Sequence, residues 1–308
     1  MLFNIDLDQS NQKQRLDSYL SEALKDMSRS HIKKMIDDGK ILVNSKNAKP
    51  GYILKNGDSI FVEEAALEPE DVGIESEDIE LDIAYEDDDV IVINKPKDMV
   101  VHPAAGHYEG TLVNALMYHC RDSLSGINGE LRPGIVHRID KDTTGLIIAC
   151  KNDAAHNSIA EQLKEHSITR RYIALVHGVV KEDEGRIDRP IARSRKDRKK
   201  MAVSDEPNAK NAVTNYRVLE RFRDATLVEC RLETGRTHQI RVHMSYIGHP
   251  LFGDEVYGLK KDSSRGQGQY LHAAVLGFRH PSTGEYIELS SELPEYFEQT
   301  LEKLRRQG

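Results

Sequence analysis

The segment His137–Leu146 gathers ionisable side chains directly ahead of an apolar run. Within it, Asp140 and Asp142 are two residues apart, and His137 and Arg138 precede them. A pair of carboxylates can serve as a nucleophile or as an acid and a base, and the histidine and arginine can bind a phosphate or a nucleobase. Loops on a rigid scaffold commonly carry such groups, although a charged turn that enters a strand has the same composition.

The segment Gly235–Met244 has the pattern of a helix that begins with a polar turn. If Thr237 caps this helix, the backbone N–H groups at its start and the Arg236 side chain form a site for an anion. Arg241 lies four residues after Thr237 and therefore on about the same helix face. The segment thus predicts an anion-binding site.

The histidines of this segment do not predict a metal site. His238 and His243 are five residues apart, a spacing that does not place two imidazoles on one face of a helix. We therefore interpret His243 as a packing histidine with its hydrogen bonds satisfied. The three cysteines of the chain are odd in number and form no CxxC pattern, which argues against a disulfide framework and a zinc site.

Two other segments are rich in basic side chains. A short predicted helix over residues 29–38 projects Arg29, Lys33 and Lys34, which could bind the phosphates of a nucleic acid. A solvated helix face is the ordinary explanation of such a charge run. The stretch Arg193–Lys200 has six cations and one acid in a predicted loop, and this composition also suits RNA phosphates.

Three more segments read, one by one, as a strand with a turn: Asn94–Pro103, Arg170–Gly178 and Gly248–Gly258. Tyr172 lies inside the second of them, where an aromatic residue is most often part of the core. Taken singly, these segments predict structure and no chemistry.

In this order, the five segments resemble the pseudouridine synthases of the RluA/RluD family, which isomerise uridine within ribosomal or transfer RNA. The most specific element is His-Arg-Ile-Asp followed by Thr-Thr-Gly-Leu. The first 60 residues, with Ser28-Arg29-Ser30 and Ile41-Leu42-Val43-Asn44, resemble the alpha-L RNA-binding module first known from ribosomal small-subunit protein four. Together the resemblances cover almost all of residues 1–305.

The resemblance implies roles for individual residues. Asp140 would be the catalytic aspartate, Tyr172 the ring stacked on the flipped uracil, and Arg241 the cation paired with the aspartate. Arg138 would help to displace the target base. We expect the RNA to be bound by basic or imidazole side chains, namely His137, Arg138, Arg170, Arg236, Arg29, Lys33 and Lys34.

The family's reaction breaks the N1–C1′ bond of uridine, turns the bound base and joins C5 to C1′. It requires no redox step, so the resemblance implies no cofactor and no metal. Unstacking the target base costs a few kcal/mol, and stacking on Tyr172 could return ~1–3 kcal/mol. Asp140 could attack the sugar carbon or remove the 2′ proton, and the residues do not choose between these steps.

Two rival functions use the same residues. An RNA-binding protein without catalysis would not need Asp140, Tyr172 and Arg241 together. A hydrolytic nucleosidase with an acid pair would release free uracil, whereas an isomerase releases nothing. Two segments also depart from the family pattern: Arg170 stands where many members have Lys, and Lys97-Asp98 replaces a small residue followed by Gly.

The charge distribution predicts the domain organisation. The chain has 308 residues and a net charge of −8, yet residues 63–89 hold fourteen acidic residues and neither Lys nor Arg. We therefore expect an RNA-binding module over residues 1–62, an acidic linker over residues 63–80 and a catalytic domain over residues 81–308. A local basic face can bind RNA even where the whole chain is acidic.

The predicted elements of the large domain do not alternate regularly between strand and helix. The predicted strands are residues 81–85, 90–94, 145–150, 169–176, 214–220, 225–231 and 286–289. The predicted helices are residues 111–119, 154–165, 237–247 and 292–304. This order favours an α+β fold with a mixed, largely antiparallel sheet behind the small module.

The apolar runs of the chain are far shorter than the ~18 residues that cross a bilayer, and its first residues lack the pattern of a signal peptide. We expect a cytoplasmic monomer whose partner is RNA, most simply large-subunit ribosomal RNA.

Overall fold

The computed structural model describes residues 2–4, 14–24, 27, 29–63, 74–103, 108–127, 132–197, 200–262, 264 and 266–307. The chain divides into two compact units, residues 1–73 and 74–308. Residues 64–73 of the predicted linker lie outside the described residues. Among the described residues, no helix is long and apolar enough to cross a membrane.

Residues 74–80, which the charge pattern places in the linker, pack on the second unit instead. Ile74 is 9% exposed and belongs to the core of that unit. The Asn114 side chain donates a hydrogen bond of 2.7 Å to the Glu75 carbonyl, and the Glu77 N–H donates one of 3.0 Å to the Asn114 carbonyl. Apolar burial and backbone hydrogen bonds thus begin the second unit before its first strand.

The first unit is a small sheet with two helices, as the sequence predicts. Its described elements are β1 (Leu2–Asn4), α1 (Leu16–Ala23), α2 (Arg29–Asp37), β2 (Ile41–Val43), β3 (Lys46–Asn47) and β4 (Ser59–Val62). The strands pair antiparallel in the order β1-β4-β2-β3. Ile32, Met35 and Ile36 recur at helical spacing and are buried against Leu16 and Leu20, which explains the helix pair.

The second unit is built on one large sheet. Its described strands are β5 (Ile83–Glu86), β6 (Val90–Lys95), β7 (Thr144–Cys150), β8 (Thr169–His177), β9 (Glu184–Asp188), β10 (Ile191–Arg193), β11 (Met201–Val203), β12 (Val213–Arg221), β13 (Ala225–Leu232), β14 (Leu271–Arg279) and β15 (Tyr286–Ser290). Within the described residues, the sheet runs β5-β6-β7-β14-β8-β13-β12-β9, with β15 paired to β14. Of these pairings, β7 with β14 is parallel and the others are antiparallel, so the predicted mixed, largely antiparallel α+β fold is confirmed.

Helices cover both faces of this sheet. They are α3 (Leu112–Cys120), α4 (Asp153–Lys164), α5 (Gln239–Tyr246) and α6 (Glu295–Gln307). Side chains alternate between the two faces of a strand. In β7, Leu146 and Ile148 accordingly pack in the cluster that contains α4, while Ile147 and Ala149 pack in the cluster that contains α3 and α5. Burial on both faces makes β7 a rigid support for the loop that precedes it.

The strands β9 and β14 and the hairpin β10–β11 are absent from the predicted strands. The strand β14 lies between β7 and β8, in the centre of the sheet. The strands β10 and β11 pair with each other, outside the large sheet, and the basic stretch Arg193–Lys200 connects them. Arg198 and Lys199 in that stretch lie outside the described residues.

Candidate active site

The loop that carries Asp140 leads directly into β7, and a buried lysine donates hydrogen bonds to the backbone beside it. The Thr143 N–H donates to the Asp140 carbonyl at 3.0 Å, which closes the loop. Lys95, the last residue of β6, is fully buried, and its ammonium donates to the carbonyls of Pro96, Met99 and Lys141 at 2.7, 2.9 and 2.9 Å. Three acceptors match the three donors of an ammonium, so Lys95 fixes the backbone beside Asp140.

The charge of Lys95 is balanced by the same loop. Burial lowers the pKa of Lys95 to about 7, and the negative charges of Asp142 and Asp140 oppose this shift. No role is predicted for Lys95 from the sequence, although it lies in the Asn94–Pro103 segment. A lysine at the end of an apolar strand gives no sign in the sequence that three carbonyls will surround it.

Arg241 on α5 holds one oxygen of Asp140. Its Nη1 donates to Asp140 Oδ2 at 2.8 Å, and the two side chains are 6% and 18% exposed. The pairing of Arg241 with Asp140 that the resemblance implies is therefore present in the structure.

Asp254 holds Arg241 from the opposite side. Its carboxylate is fully buried and accepts from Nε and Nη2 of Arg241 at 2.7 and 2.9 Å. It also accepts from the backbone N–H groups of Val256 and Tyr257. Burial by itself would raise the pKa of Asp254, but the hydrogen bonds from Arg241 outweigh it and the pKa is lowered. Sequence reasoning missed Asp254, because the contact between residues 241 and 254 is made only by the tertiary fold.

The charge of Arg241 is secured by these two carboxylates. Burial alone would lower the pKa of Arg241, but the hydrogen bonds and charges of Asp254 and Asp140 reverse this effect and raise it. Its guanidinium also lies over the ring of Tyr257, 5.2 Å from the centroid. Arg241 is thus a permanent cation with a fixed orientation.

His238 faces the other oxygen of Asp140. Its Nε2 lies 3.8 Å from Asp140 Oδ1, and its Nδ1 lies 2.9 Å from the hydroxyl of Tyr257. The spacing of the histidines argues only against His238 as a metal ligand and predicts no other role for it, so its position beside the carboxylate is a finding of the structure.

The start of α5 differs from the predicted start. The helix begins at Gln239, and His238, with a left-handed φ of 57°, occupies the N-cap in place of Thr237. The Gln239 side chain folds back and accepts from the N–H of Arg236 and the hydroxyl of Thr234, which turns the chain before the helix starts. The prediction that Thr237 caps this helix is therefore wrong.

A cavity of about 440 Å³ opens beside Asp140. Such a volume is in the range of small-molecule sites. Its walls include all the predicted site residues of the second unit: His137, Arg138, Asp140, Arg170, Tyr172, Arg236 and Arg241. Three of the five segments, His137–Leu146, Arg170–Gly178 and Gly235–Met244, thus meet at one place, with polar and charged groups around a common space.

Tyr172 and Arg170 project from β8 into this cavity. They are two residues apart and therefore on one face of the strand. Tyr172 is 7% exposed, and burial raises its pKa, which keeps the phenol protonated. The Nε of Arg170 is buried and has no hydrogen-bond partner among the described residues. A Cβ on Gly235 would lie 2.7 Å from Nη1 of Arg170, so the glycine provides the room for this guanidinium.

The other basic groups of the cavity differ in how firmly they are held. Burial and the charge of Arg170 lower the pKa of His137 to about 3, and its neutral Nε2 accepts from the Ile148 N–H at 3.3 Å. The Nε of Arg236 donates to the Asn211 carbonyl at 2.9 Å. Arg138 is exposed, and its Nη1 lies 3.5 Å from His102 Nε2. Of these three, Arg138 is the side chain with most freedom to move.

His243 is a satisfied packing histidine, as the sequence predicts. It is fully buried, its Nδ1 lies 2.9 Å from the Thr214 hydroxyl, and its Nε2 lies 2.9 Å from the Arg189 carbonyl.

The predicted RNA-binding residues Arg29, Lys33 and Lys34 lie on α2 of the first unit. Lys33 is half-exposed, and its ammonium lies 3.7 Å from the carboxylate of Asp17. The side chains of Arg29 and Lys34 are outside the described part of the structure.

Comparison with known proteins matches residues 89–246 to the RNA pseudouridylate synthase family and residues 14–60 to the S4 domain. The uncharacterized RNA pseudouridine synthase YlyB of Bacillus subtilis is 52% identical over 305 residues, which are 99% of this chain and 99% of the relative. The ribosomal large subunit pseudouridine synthase D of Zymomonas mobilis is 47% identical over 291 residues, covering 91% of this chain and 90% of the relative.

A solved structure of the human RNA pseudouridylate synthase domain containing 1 is similar to the chain with a TM-score of 0.58 and 27% identity. The similarity covers 77% of this chain and 97% of the human one. The chain belongs to the RNA pseudouridylate synthase family and is an RNA pseudouridine synthase with an N-terminal S4 domain.

Proposed function

We propose that this enzyme isomerises specific uridines of 23S ribosomal RNA and that Asp140 is its catalytic aspartate. The observation that carries the proposal is the 2.8 Å ion pair between Arg241 Nη1 and Asp140 Oδ2, at the wall of a cavity that Tyr172 also lines. One oxygen of the carboxylate is held, and the other is left to act on the sugar of a bound uridine.

The choice of RNA rests on the relatives and on the distribution of positive charge. Several relatives at 44–47% identity are named ribosomal large subunit pseudouridine synthase D or RNA pseudouridine synthase. An S4 domain precedes the catalytic unit, and the loop between β10 and β11 is basic. Two basic elements on one chain suit a structured RNA, which proteins recognise largely by its shape and by splayed bases.

In the proposed reaction the target uridine leaves its stack and enters the cavity. Arg138, which is exposed, takes the vacated place in the RNA, and the ring of Tyr172 stacks on the uracil. Asp140 then acts on the ribose, either at C1′ or at the 2′ proton, and the N1–C1′ bond breaks. The base turns within the cavity and C5 bonds to C1′, while Asp140 leaves C1′ or returns the 2′ proton. The C5 proton is then lost and N1 gains a proton.

Incubation of unmodified 23S rRNA with the purified protein, followed by nucleotide-resolution mapping of pseudouridine, tests the proposal. The wild type should modify defined uridines without added metal or nucleotide. Asp140→Asn keeps the shape of the side chain but removes its charge, so turnover should fall on the order of 10⁴-fold while RNA binding persists. Activity of this variant near that of the wild type would exclude Asp140 as the catalytic group.

Transfer RNA is the second substrate to test. Modification of tRNA and not of 23S rRNA would retain the reaction and correct the substrate. A wild type that modifies neither RNA would favour a non-catalytic RNA-binding role, and release of free uracil would identify a hydrolase.

A further inference from the structure

His238 is held with one particular nitrogen toward the catalytic carboxylate. The backbone N–H of Met201 donates to the Tyr257 hydroxyl oxygen at 2.8 Å. With this oxygen accepting there, the arrangement that uses a donor and an acceptor on each group has the hydroxyl donate its proton to His238 Nδ1, 2.9 Å away. In this arrangement Nδ1 accepts, which assigns the ring proton to Nε2, the atom that faces Asp140.

The surroundings keep this imidazole neutral. Burial lowers the pKa of His238, and the positive charges of Arg241 and Arg138 act in the same direction, while Asp140 and Asp254 oppose them. Burial also raises the pKa of Tyr257, so its hydroxyl keeps the proton that it donates. At neutral pH the pair presents one N–H donor and no net charge.

The Nε2–H group of His238 lies at the wall of the cavity, next to Asp140. The distance of 3.8 Å between Nε2 and Asp140 Oδ1 exceeds that of a hydrogen bond. Among the described residues, Nε2 of His238 and Oδ1 of Asp140 have no hydrogen-bond partner within range. Both side chains line the 440 Å³ cavity and also an adjoining one of about 260 Å³. A donor and a reactive oxygen thus face the same bound group.

We propose that His238 is a further catalytic residue, whose Nε2–H donates a hydrogen bond to the uracil O2 of the bound uridine as the glycosidic bond breaks. The inference rests on the proposed role of Asp140. That carboxylate acts at C1′ or one bond away, and O2 is the acceptor of the base nearest to C1′. When the N1–C1′ bond breaks, its electron pair passes to the base, and part of the negative charge develops on O2.

Such a donor accelerates the step in which the charge appears. A fixed donor aimed at developing charge is worth about 10²–10³-fold in rate. The proton stays on His238 throughout, so the donor is ready for the next turnover. Tyr257 does not touch the substrate in this account; it is a positioning residue that fixes the tautomer of His238.

Two substitutions of His238 distinguish the loss of its hydrogen-bond donor from the loss of its side-chain volume. The amide nitrogen of Gln can occupy the place of Nε2, whereas that of Asn reaches only the place of Nδ1. With an RNA that the wild type modifies, His238→Asn should lower the single-turnover rate about 100-fold, with the Kd for RNA within about twofold. His238→Gln should recover at least a tenth of the wild-type rate, and Tyr257→Phe should lose about 3–10-fold.

A substrate with 5-fluorouridine at the target position sharpens the test. Fluorine stabilises the departing base anion, so the defect of His238→Asn in cleaving the glycosidic bond should shrink about tenfold or more. Thermal unfolding of each variant controls for folding.

Equal rates for the Gln and Asn variants, or an Asn variant within threefold of the wild type, would overturn the inference and leave the proposed function intact. A wild type inactive on both rRNA and tRNA would overturn the proposed function and this inference with it.

Discussion

The two oxygens of Asp140 lie in contrasting surroundings. Oδ2 accepts from Arg241, which is locked by a bidentate pair with the fully buried Asp254. Oδ1 faces the imidazole of His238 across 3.8 Å, next to the cavity. On one side the ionic hydrogen bonds are short and shielded from water, and on the other a donor and an acceptor are held just too far apart to pair.

The contrast assigns different roles to the two oxygens. Oδ2 holds the carboxylate of Asp140 in position, and Oδ1 is available to react. A buried guanidinium with three short hydrogen bonds to carboxylates loses little entropy when substrate binds, because its orientation is already fixed. Groups that face the cavity without a partner among the described residues are the ones that a substrate can satisfy. Substitutions among the groups that contact Oδ2 should therefore change both stability and activity. Substitutions near Oδ1 should change activity with little effect on stability.

The largest effect should come from removing the cation. Arg241→Met leaves the Asp254 carboxylate buried without its partner, which should cost about 3–5 kcal/mol of unfolding free energy. It also releases Oδ2 of Asp140, so turnover should fall about 10²–10³-fold. Urea unfolding and single-turnover kinetics measure the two losses.

The double variant Arg241→Met with Asp254→Leu tests whether these losses have separate causes. Replacing both charges removes the unpaired carboxylate and should recover about half of the lost stability. Recovery is incomplete because the N–H groups of Val256 and Tyr257 lose their acceptor. Turnover should stay at the level of the single variant; a recovered rate would show that Arg241 acts only through the fold.

A smaller effect should follow from Lys95→Met. Lys95 hydrogen-bonds the backbone beside Asp140, so its loss affects the surroundings of both Asp140 oxygens. The carbonyls of Pro96, Met99 and Lys141 lose their common donor, and the backbone beside Asp140 is released. We expect a loss of about 2–4 kcal/mol in stability and a fall of about 10-fold in kcat, with KM changed less. If this variant behaves as the wild type in kcat, the position of the loop does not depend on Lys95.

The smallest effect should come from Asp142→Asn. Asp142 follows Asp140 by two residues, yet among the described residues it forms no hydrogen bond with Arg241 or His238. Its loss should change turnover less than about threefold, measured in the same assay. A loss comparable with that of Asp140→Asn would mean that the two carboxylates act as a pair and that the contrast around Asp140 is incomplete.

Much of the fold can be predicted from local patterns, and the part that cannot is long-range. The sequence predicts the helices of the second unit, although α6 begins at Glu295 rather than at residue 292, directly after Pro294, which favours the first turn of a helix. The strand β14 was missed because it is buried from both sides and shows no alternation. It also contains Gly277, where a Cβ would lie 2.2 Å from the Tyr286 hydroxyl.

The sequence likewise predicts some residues of the site and misses others. Asp140, Tyr172 and Arg241 followed from a resemblance that their motifs carry, and the structure brings them to one cavity. Asp254 and His238 gave no such signal, because a carboxylate in a glycine-rich turn and a histidine at a helix start gain their importance from partners distant in the sequence. A left-handed residue at an N-cap is also not visible in composition, so Thr237 was predicted in its place.

One turn, residues 254–257, links the site to the basic hairpin. Its Asp254 and Tyr257 hold Arg241 and His238, while Lys200 donates to the Val256 carbonyl at 2.7 Å and Met201 to the Tyr257 hydroxyl. The turn therefore couples the position of this hairpin to the two groups that flank the Asp140 carboxylate, Arg241 on one side and His238 on the other.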